Sequence, residues 1–299
     1  MKVLVTGSSG FIGSALVPFL EDRGHTVLRL VRRRPEPNGT EIRWDPVAGE
    51  VDRAGLEGVE AAVHLAGENI ASGRWTAARK RRIMDSRVEG TRLLSETLAR
   101  LEPPPKVLAS ASAKDYYGDR GADSLTEEEP PGRGFLPEVV RQWEGATEPA
   151  KAGGIRVVTL RSGLVLGRTG PLAKILMPFK LGLGGRLGNG AQYMSWVSLE
   201  DYVRAVEHVL AADDISGPIN VSAPGAVTNA EFTRVLGRVL SRPTLFPVPA
   251  LVMKTVFGEM ADTLLASVRQ DSSKLRDSGF EFLHPDLESA LRAILGRPA

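Results

Sequence analysis

Thr6-Gly7-Ser8-Ser9-Gly10-Phe11-Ile12-Gly13 decides the fold of this chain. A short apolar run, Val3–Val5, leads into it, and an amphipathic pattern over Ser14–Arg23 follows, ending at Gly24. Strand, glycine loop and helix in that order form a phosphate-binding turn. Gly7 permits the tight turn, Gly10 lets a pyrophosphate approach the backbone, and Gly13 lets the helix pack closely on the strand. The helix N-terminus then offers unpaired N–H groups and a partial positive charge to an anion. Thr6, Gly7, Ser9, Gly10, Phe11, Ile12 and Gly13 are therefore the expected dinucleotide contacts.

The next strand, Thr26–Val31, selects the dinucleotide. Folds that bind NAD place Asp or Glu near the end of this strand to hold the ribose 2′-hydroxyl. Here the end reads Val31-Arg32-Arg33-Arg34, with no carboxylate. A guanidinium can grip a 2′-phosphate with two parallel hydrogen bonds, so Arg32 and Arg33 point to NADP(H).

Outward from this unit, short apolar runs alternate with helical patterns. Strands are expected at Ala61–Leu65, Val107–Ser110 and Val157–Leu160, and helices over Ala77–Leu101 and Pro137–Ala152. That alternation predicts an α/β protein, a Rossmann-type doubly wound parallel sheet with helices on both faces. The glycine-rich stretch 163–195 reads as a long loop, followed by a helix over Leu199–Ala212 and a strand near Pro218–Val221. Residues 223–299 read as three or four helices around a proline-rich segment, Arg242–Pro249. The division expected is a nucleotide-binding domain of 1–165 with about 197–222, and a smaller, mostly helical cap of about 166–196 and 223–299.

Composition narrows the function. The 299 residues carry 38 Lys and Arg against 36 Asp and Glu, a net charge of +2. A nucleic-acid binder needs a basic face, which this balance does not supply. With no cysteine, thiol catalysis and zinc–thiolate sites are excluded. The four histidines show no metal-ligand spacing. No apolar run approaches the roughly 18 residues of a membrane span. The expectation is a cytoplasmic monomer or homodimer with a small-molecule substrate and no metal, nucleic-acid or membrane partner.

The whole chain resembles the extended short-chain dehydrogenase/reductases, in particular the branch described as epimerase family proteins. Thr6–Gly13 is similar to the family's cofactor loop. Val63-His64-Leu65-Ala66-Gly67 resembles the segment beside the adenosine, which implies cofactor contacts at Leu65, Ala66 and Gly67. Ser86-Arg87-Val88, Leu160-Arg161-Ser162-Gly163, Gly188-Asn189-Gly190, Ser195-Trp196-Val197 and Gly258-Glu259-Met260 carry the likeness onward. Such enzymes use a tyrosine as acid/base and a lysine four residues later that lowers its pKa and holds the nicotinamide ribose. Counting back from Leu160-Arg161 puts these positions at Leu136 and Val140, and neither side chain transfers a proton. The usual active-site asparagine is replaced by Arg87.

By this resemblance the candidate catalytic groups are Ser112, with Ser110 as the alternative, and Tyr116 or Tyr117. Lys114-Asp115 is either a solvated turn or the source of a cation for a tyrosine. Arg161 either contacts a diphosphate or pairs with an internal carboxylate. Gln192, with Asn189, suits a polyol, and Trp196 either walls a substrate pocket or is core. His64 is expected to be a core or second-layer group. The function implied is an NADP(H)-dependent oxidoreductase or epimerase acting on a small polar or sugar-like carbonyl; the competing readings are a non-catalytic NADP(H) sensor and a nucleotide-sugar binder.

Overall fold

The computed structural model describes residues 1–36 and 39–297. The chain runs β1 (Lys2–Thr6), α1 (Gly13–Asp22), β2 (Thr26–Val31), β3 (Glu41–Asp45), β4 (Glu50–Val51), β5 (Ala61–His64), α2 (Ala77–Ala99), β6 (Val107–Ala113), β7 (Ser124–Leu125), α3 (Phe135–Gly145), α4 (Glu148–Ala152) and β8 (Arg156–Ser162). It continues through β9 (Leu164–Leu166), α5 (Pro171–Lys180), β10 (Tyr193–Met194), β11 (Trp196–Ser198), α6 (Leu199–Ala211) and β12 (Gly217–Val221). The last part holds β13 (Val227–Thr228), α7 (Asn229–Leu240), α8 (Ala250–Phe257), α9 (Met260–Leu265), β14 (Arg269–Gln270), α10 (Ser273–Asp277) and α11 (Leu287–Leu295).

Eight strands form one sheet in the order β12-β8-β6-β5-β1-β2-β3-β4. Neighbours run parallel except the edge pair β3–β4. Successive residues of β1 serve opposite faces, as the pleat requires. Val3 and Val5 pack with Leu16 and Leu20 of α1 and Val206 and Val209 of α6. Leu4 packs on the other face with Leu94 and Leu98 of α2 and Ala150 of α4. A third core joins Leu172, Leu176 and Phe179 of α5 to Phe232 and Leu236 of α7 and Leu287 and Leu291 of α11.

Three expectations change. The stretch 163–195 is not one loop: it contains β9, α5 and β10, and β11 begins just beyond it. Pro171 at the start of α5 supplies a preset helical φ where no N–H is needed, and Leu172, Leu176 and Phe179 recur on one buried stripe. The glycines hid that stripe. No strand is expected at Glu41–Asp45, yet Ile42 and Trp44 are buried and β3 extends the sheet beyond β2. The tail holds five short helices, α7–α11, among the described residues.

Because β1, β2, β5, β6 and β8 run parallel, their carboxyl ends open on one edge. Parallel α/β sheets bind ligands in the crevice beyond that edge, and the Thr6–Gly13 loop, Arg32, Leu65–Gly67 and Ser112–Tyr117 lie at or just past those strand ends.

Candidate functional site

At the end of β1 the chain makes a turn that only glycine allows. Gly7 has φ +65°, and a Cβ there would meet the Leu65 carbonyl carbon at 2.8 Å. Gly13 is closed more tightly, because a Cβ would stand 2.2 Å from the Gly7 oxygen. Gly10 differs: the only atom near its Cβ position is the Gly7 oxygen, 3.1 Å away, and beyond it is open space. Gly10 donates to Gly7 O at 2.9 Å and Ser14 to Gly10 O at 2.9 Å, but the N–H groups of Ser9, Phe11, Ile12 and Gly13 have no acceptor among the described residues. Converging free N–H groups at a helix N-terminus beside an open glycine fit a phosphate. The Phe11 ring turns away to pack under Gly167 and Gly170. Thr6 is fully buried, and its hydroxyl accepts the Leu65 and Ala66 N–H groups. Thr6 therefore ties the β1 end to the segment after β5.

The two arginines after β2 divide. Arg33 Nη2 lies 2.7 Å from the buried Glu41 carboxylate of β3 and 3.2 Å from Glu36. Glu41 is held below the usual carboxylate range by the Glu36 N–H, then by Arg33 and Arg29. Arg32 is exposed and has no partner among the described residues. The acid that neutralises this corner thus comes from β3, and Arg32 alone keeps a free guanidinium.

At the end of β5 the Thr6 hydroxyl already accepts two N–H groups, so its own hydrogen goes to His64 Nδ1, 2.8 Å away. This leaves His64 as the neutral tautomer with hydrogen on Nε2, which has no partner among the described residues. Burial, and secondarily the charge of Arg87, push the His64 pKa down to about 4. Arg87, from α2, lies under Gly67, whose Cβ would stand 3.3 Å from Cζ.

The end of β6 carries a buried polar chain. Ser112 donates to Glu144 Oε1 of α3 at 2.6 Å. Arg161 of β8, opposite Ser112 in register, meets the same carboxylate with Nε and Nη2, both at 2.8 Å. Arg161 Nη1 reaches the Tyr117 hydroxyl at 3.2 Å, and Tyr117 donates to Asn220 Oδ1 of β12 at 2.7 Å. Tyr117 is fully buried, which pushes its pKa up to about 12. Tyr116 stacks its ring on the Arg161 guanidinium at 3.5 Å, is half-buried, and has no hydrogen-bond partner for its hydroxyl among the described residues. Lys114 and Asp115 are not a solvated turn: their side chains are 18% and 16% exposed and pair at 3.7 Å.

A family model for the NAD-dependent epimerase/dehydratase family matches residues 3–222, and a model for a domain of unknown function matches 248–294. The chain belongs to the NAD-dependent epimerase/dehydratase family. An epimerase family protein of Mycobacterium tuberculosis is 44% identical over 298 residues, covering 99% of this chain and 98% of that protein. The crystal structure of human epimerase family protein SDR39U1 with NADPH superposes with a TM-score of 0.92 at 35% identity, covering all of both chains. A nucleoside-diphosphate sugar epimerase structure from Corynebacterium glutamicum superposes with a TM-score of 0.80 at 35% identity, over 99% of this chain and 58% of that one.

Against this family background the changes on α3 stand out. Leu136 and Val140 are both buried in packing. Of the groups the sequence singled out, Ser112 and Tyr117 are enclosed by the Glu144–Arg161–Asn220 chain, and Arg161 takes an internal carboxylate, the second of its two readings. Trp196 is core: it is fully buried and its indole N–H donates to Gly225 O at 2.9 Å. Gln192 is also buried and spends its amide on Leu187 O, 3.1 Å away. Glu144, Asn220 and Asp115 received no role from sequence. The one available signal for Glu144 was the unpaired Arg161 on a neighbouring strand.

Proposed function

We propose that this family member is an NADP(H)-dependent oxidoreductase or epimerase acting on a small polar or sugar-like carbonyl in the crevice beyond the carboxyl ends of β1, β5 and β6. The observation that carries the reading is the set of unpaired N–H groups at Phe11, Ile12 and Gly13 after β1, together with the free Arg32 guanidinium after the adjoining strand β2, which suit a phosphate cradle and a 2′-phosphate anchor. That the human relative was crystallised with NADPH supports the same cofactor. In this reading residues 1–165 with 197–222 hold the nucleotide, and 166–196 with 223–299 close over the substrate. The near-balanced charge suits a cytoplasmic monomer or homodimer with a small-molecule partner.

When bound, the nicotinamide supplies or accepts a hydride. The protein's task is then to move a proton at the carbonyl oxygen. Tyr116 is our donor, because Ser112 gives its hydrogen to Glu144 and Tyr117 gives its own to Asn220. Arg161 holds the Tyr116 ring from below and fixes the direction of the phenol.

Calorimetry with NADPH and NADH, followed by a panel of carbonyl substrates read at the NADPH absorbance band, tests the proposal. Tyr116→Phe is expected to lower kcat by about 10²–10³, whereas Tyr117→Phe acts on thermal stability. A second reading, a non-catalytic NADP(H) sensor, is favoured by the apolar Leu136 and Val140. NADPH binding with no turnover across the panel selects it, and failure to bind NADPH rejects both.

A further inference from the structure

The guanidinium of Arg87 is half-buried at the carboxyl ends of β5 and β6, and the protein does not satisfy it. Nη1 donates to Glu68 O at 2.9 Å and to Ile83 O at 3.3 Å. One face lies against Gly67, and the Trp143 ring of α3 lies 5.1 Å away. Nε and Nη2 have no protein acceptor among the described residues, and neither is a sealed orphan atom, so both open toward solvent. Asp115 and Glu68 favour the charge from a distance, and neither forms an ion pair with it. Arg161, by comparison, is closed by a two-pronged carboxylate. Burial pushes the Arg87 pKa down to about 10, so the cation persists at neutral pH.

Strand order says what these donors face. Arg32 follows β2, on one side of β1, and Arg87 sits over β5 and β6 on the other. A dinucleotide with its pyrophosphate on the α1 N-terminus and its 2′-phosphate on Arg32 carries its second ribose across β1 to the Arg87 side. We propose that Arg87 binds the hydroxyls of the nicotinamide-side ribose of NADP(H) through Nε and Nη2. The assignment rests on the cofactor reading above. It gives the crevice a cation on α2 although Val140 of α3 carries none.

The test is calorimetry on the full chain with two ligands, NADPH and adenosine 2′,5′-bisphosphate, which lacks the nicotinamide ribose. Arg87→Gln is expected to weaken NADPH about tenfold, the equivalent of one charge-assisted hydrogen bond, and to leave the bisphosphate within twofold. Arg87→Lys, which keeps the charge without the fork, is expected to lose about threefold on NADPH alone. It keeps the test decisive if the Gln variant unfolds. Equal weakening of both ligands, or unchanged NADPH affinity in a folded variant, overturns the assignment. Wild-type protein that binds no NADPH overturns the cofactor reading together with it.

Discussion

Glu144 and Arg161 face each other under the carboxyl edge of the sheet, Oε1 to Nε and Oε2 to Nη2, each 2.8 Å. The pair joins α3 to β8, receives the Ser112 hydroxyl and carries the Tyr116 ring. It converts the place where a strand-end arginine would meet a ligand into a fixed support.

Breaking that pair should cost stability and spare nucleotide binding. Glu144→Gln leaves Arg161, only 3% exposed, without its counter-charge. A loss of about 3 kcal/mol is expected for an uncompensated buried charge, read by urea unfolding, with NADPH affinity within twofold of wild type. Full stability with lost NADPH affinity would instead put Arg161 on the ligand.

Arg32 and Arg33 should differ in cofactor choice. Arg32→Ala is expected to remove about 1.5–3 kcal/mol of NADPH affinity, the worth of a charge-assisted hydrogen bond, and leave NADH unaffected. Arg33→Ala should do less, because Glu41 already holds that guanidinium. Equal losses by calorimetry would place both arginines on the phosphate.

Two of the loop glycines, Gly10 and Gly13, should fail in different ways. Gly10→Val places its side chain in the open space before the free N–H groups, so it should abolish nucleotide binding and preserve the far-UV circular dichroism spectrum. Gly13→Ala drives a methyl to 2.2 Å from the Gly7 oxygen, so it should lower the melting temperature itself. A Gly10→Val protein that still binds NADPH would show that no phosphate sits there.

His64 should make the fold acid-sensitive. Its folded pKa, about 4, lies below the ordinary 6.5, so the unfolded chain takes up the proton first. Its contribution is complete above pH 6.5 and drains away as pH falls toward 4, by about 3 kcal/mol at 1.36 kcal/mol per pKa unit. Urea unfolding of wild type and His64→Gln from pH 7 to pH 4 checks this. The variant should be less stable at pH 7 and flatter in pH dependence, and parallel curves would exclude His64.

What was legible in the sequence was local. The Thr6–Gly13 spacing, the helix after it and the arginines after β2 act over a few residues. Backbone sterics and free N–H groups there depend on neighbours along the chain. The alternation of strand and helix fixed the sheet class for the same reason, and the apolar residues at 136 and 140 announced the loss of the usual pair. The strand β3, one in from the sheet edge, and the helix α5 were less legible because their local signals were crossed, by charges in the one and by flanking glycines in the other.

Only the tertiary structure decided which of these groups are free to act. Arg33 is committed by Glu41, Arg161 by Glu144, Tyr117 by Asn220 and the Trp196 indole by Gly225, while Arg32, the Tyr116 hydroxyl and two nitrogens of Arg87 have no partner among the described residues. Tyr117 and Asn220 stand 103 residues apart. They meet because parallel strands need long crossovers, so residues distant in sequence end side by side at one sheet edge. Whether a polar group at that edge is satisfied by a buried neighbour or left open is a choice that local sequence does not contain.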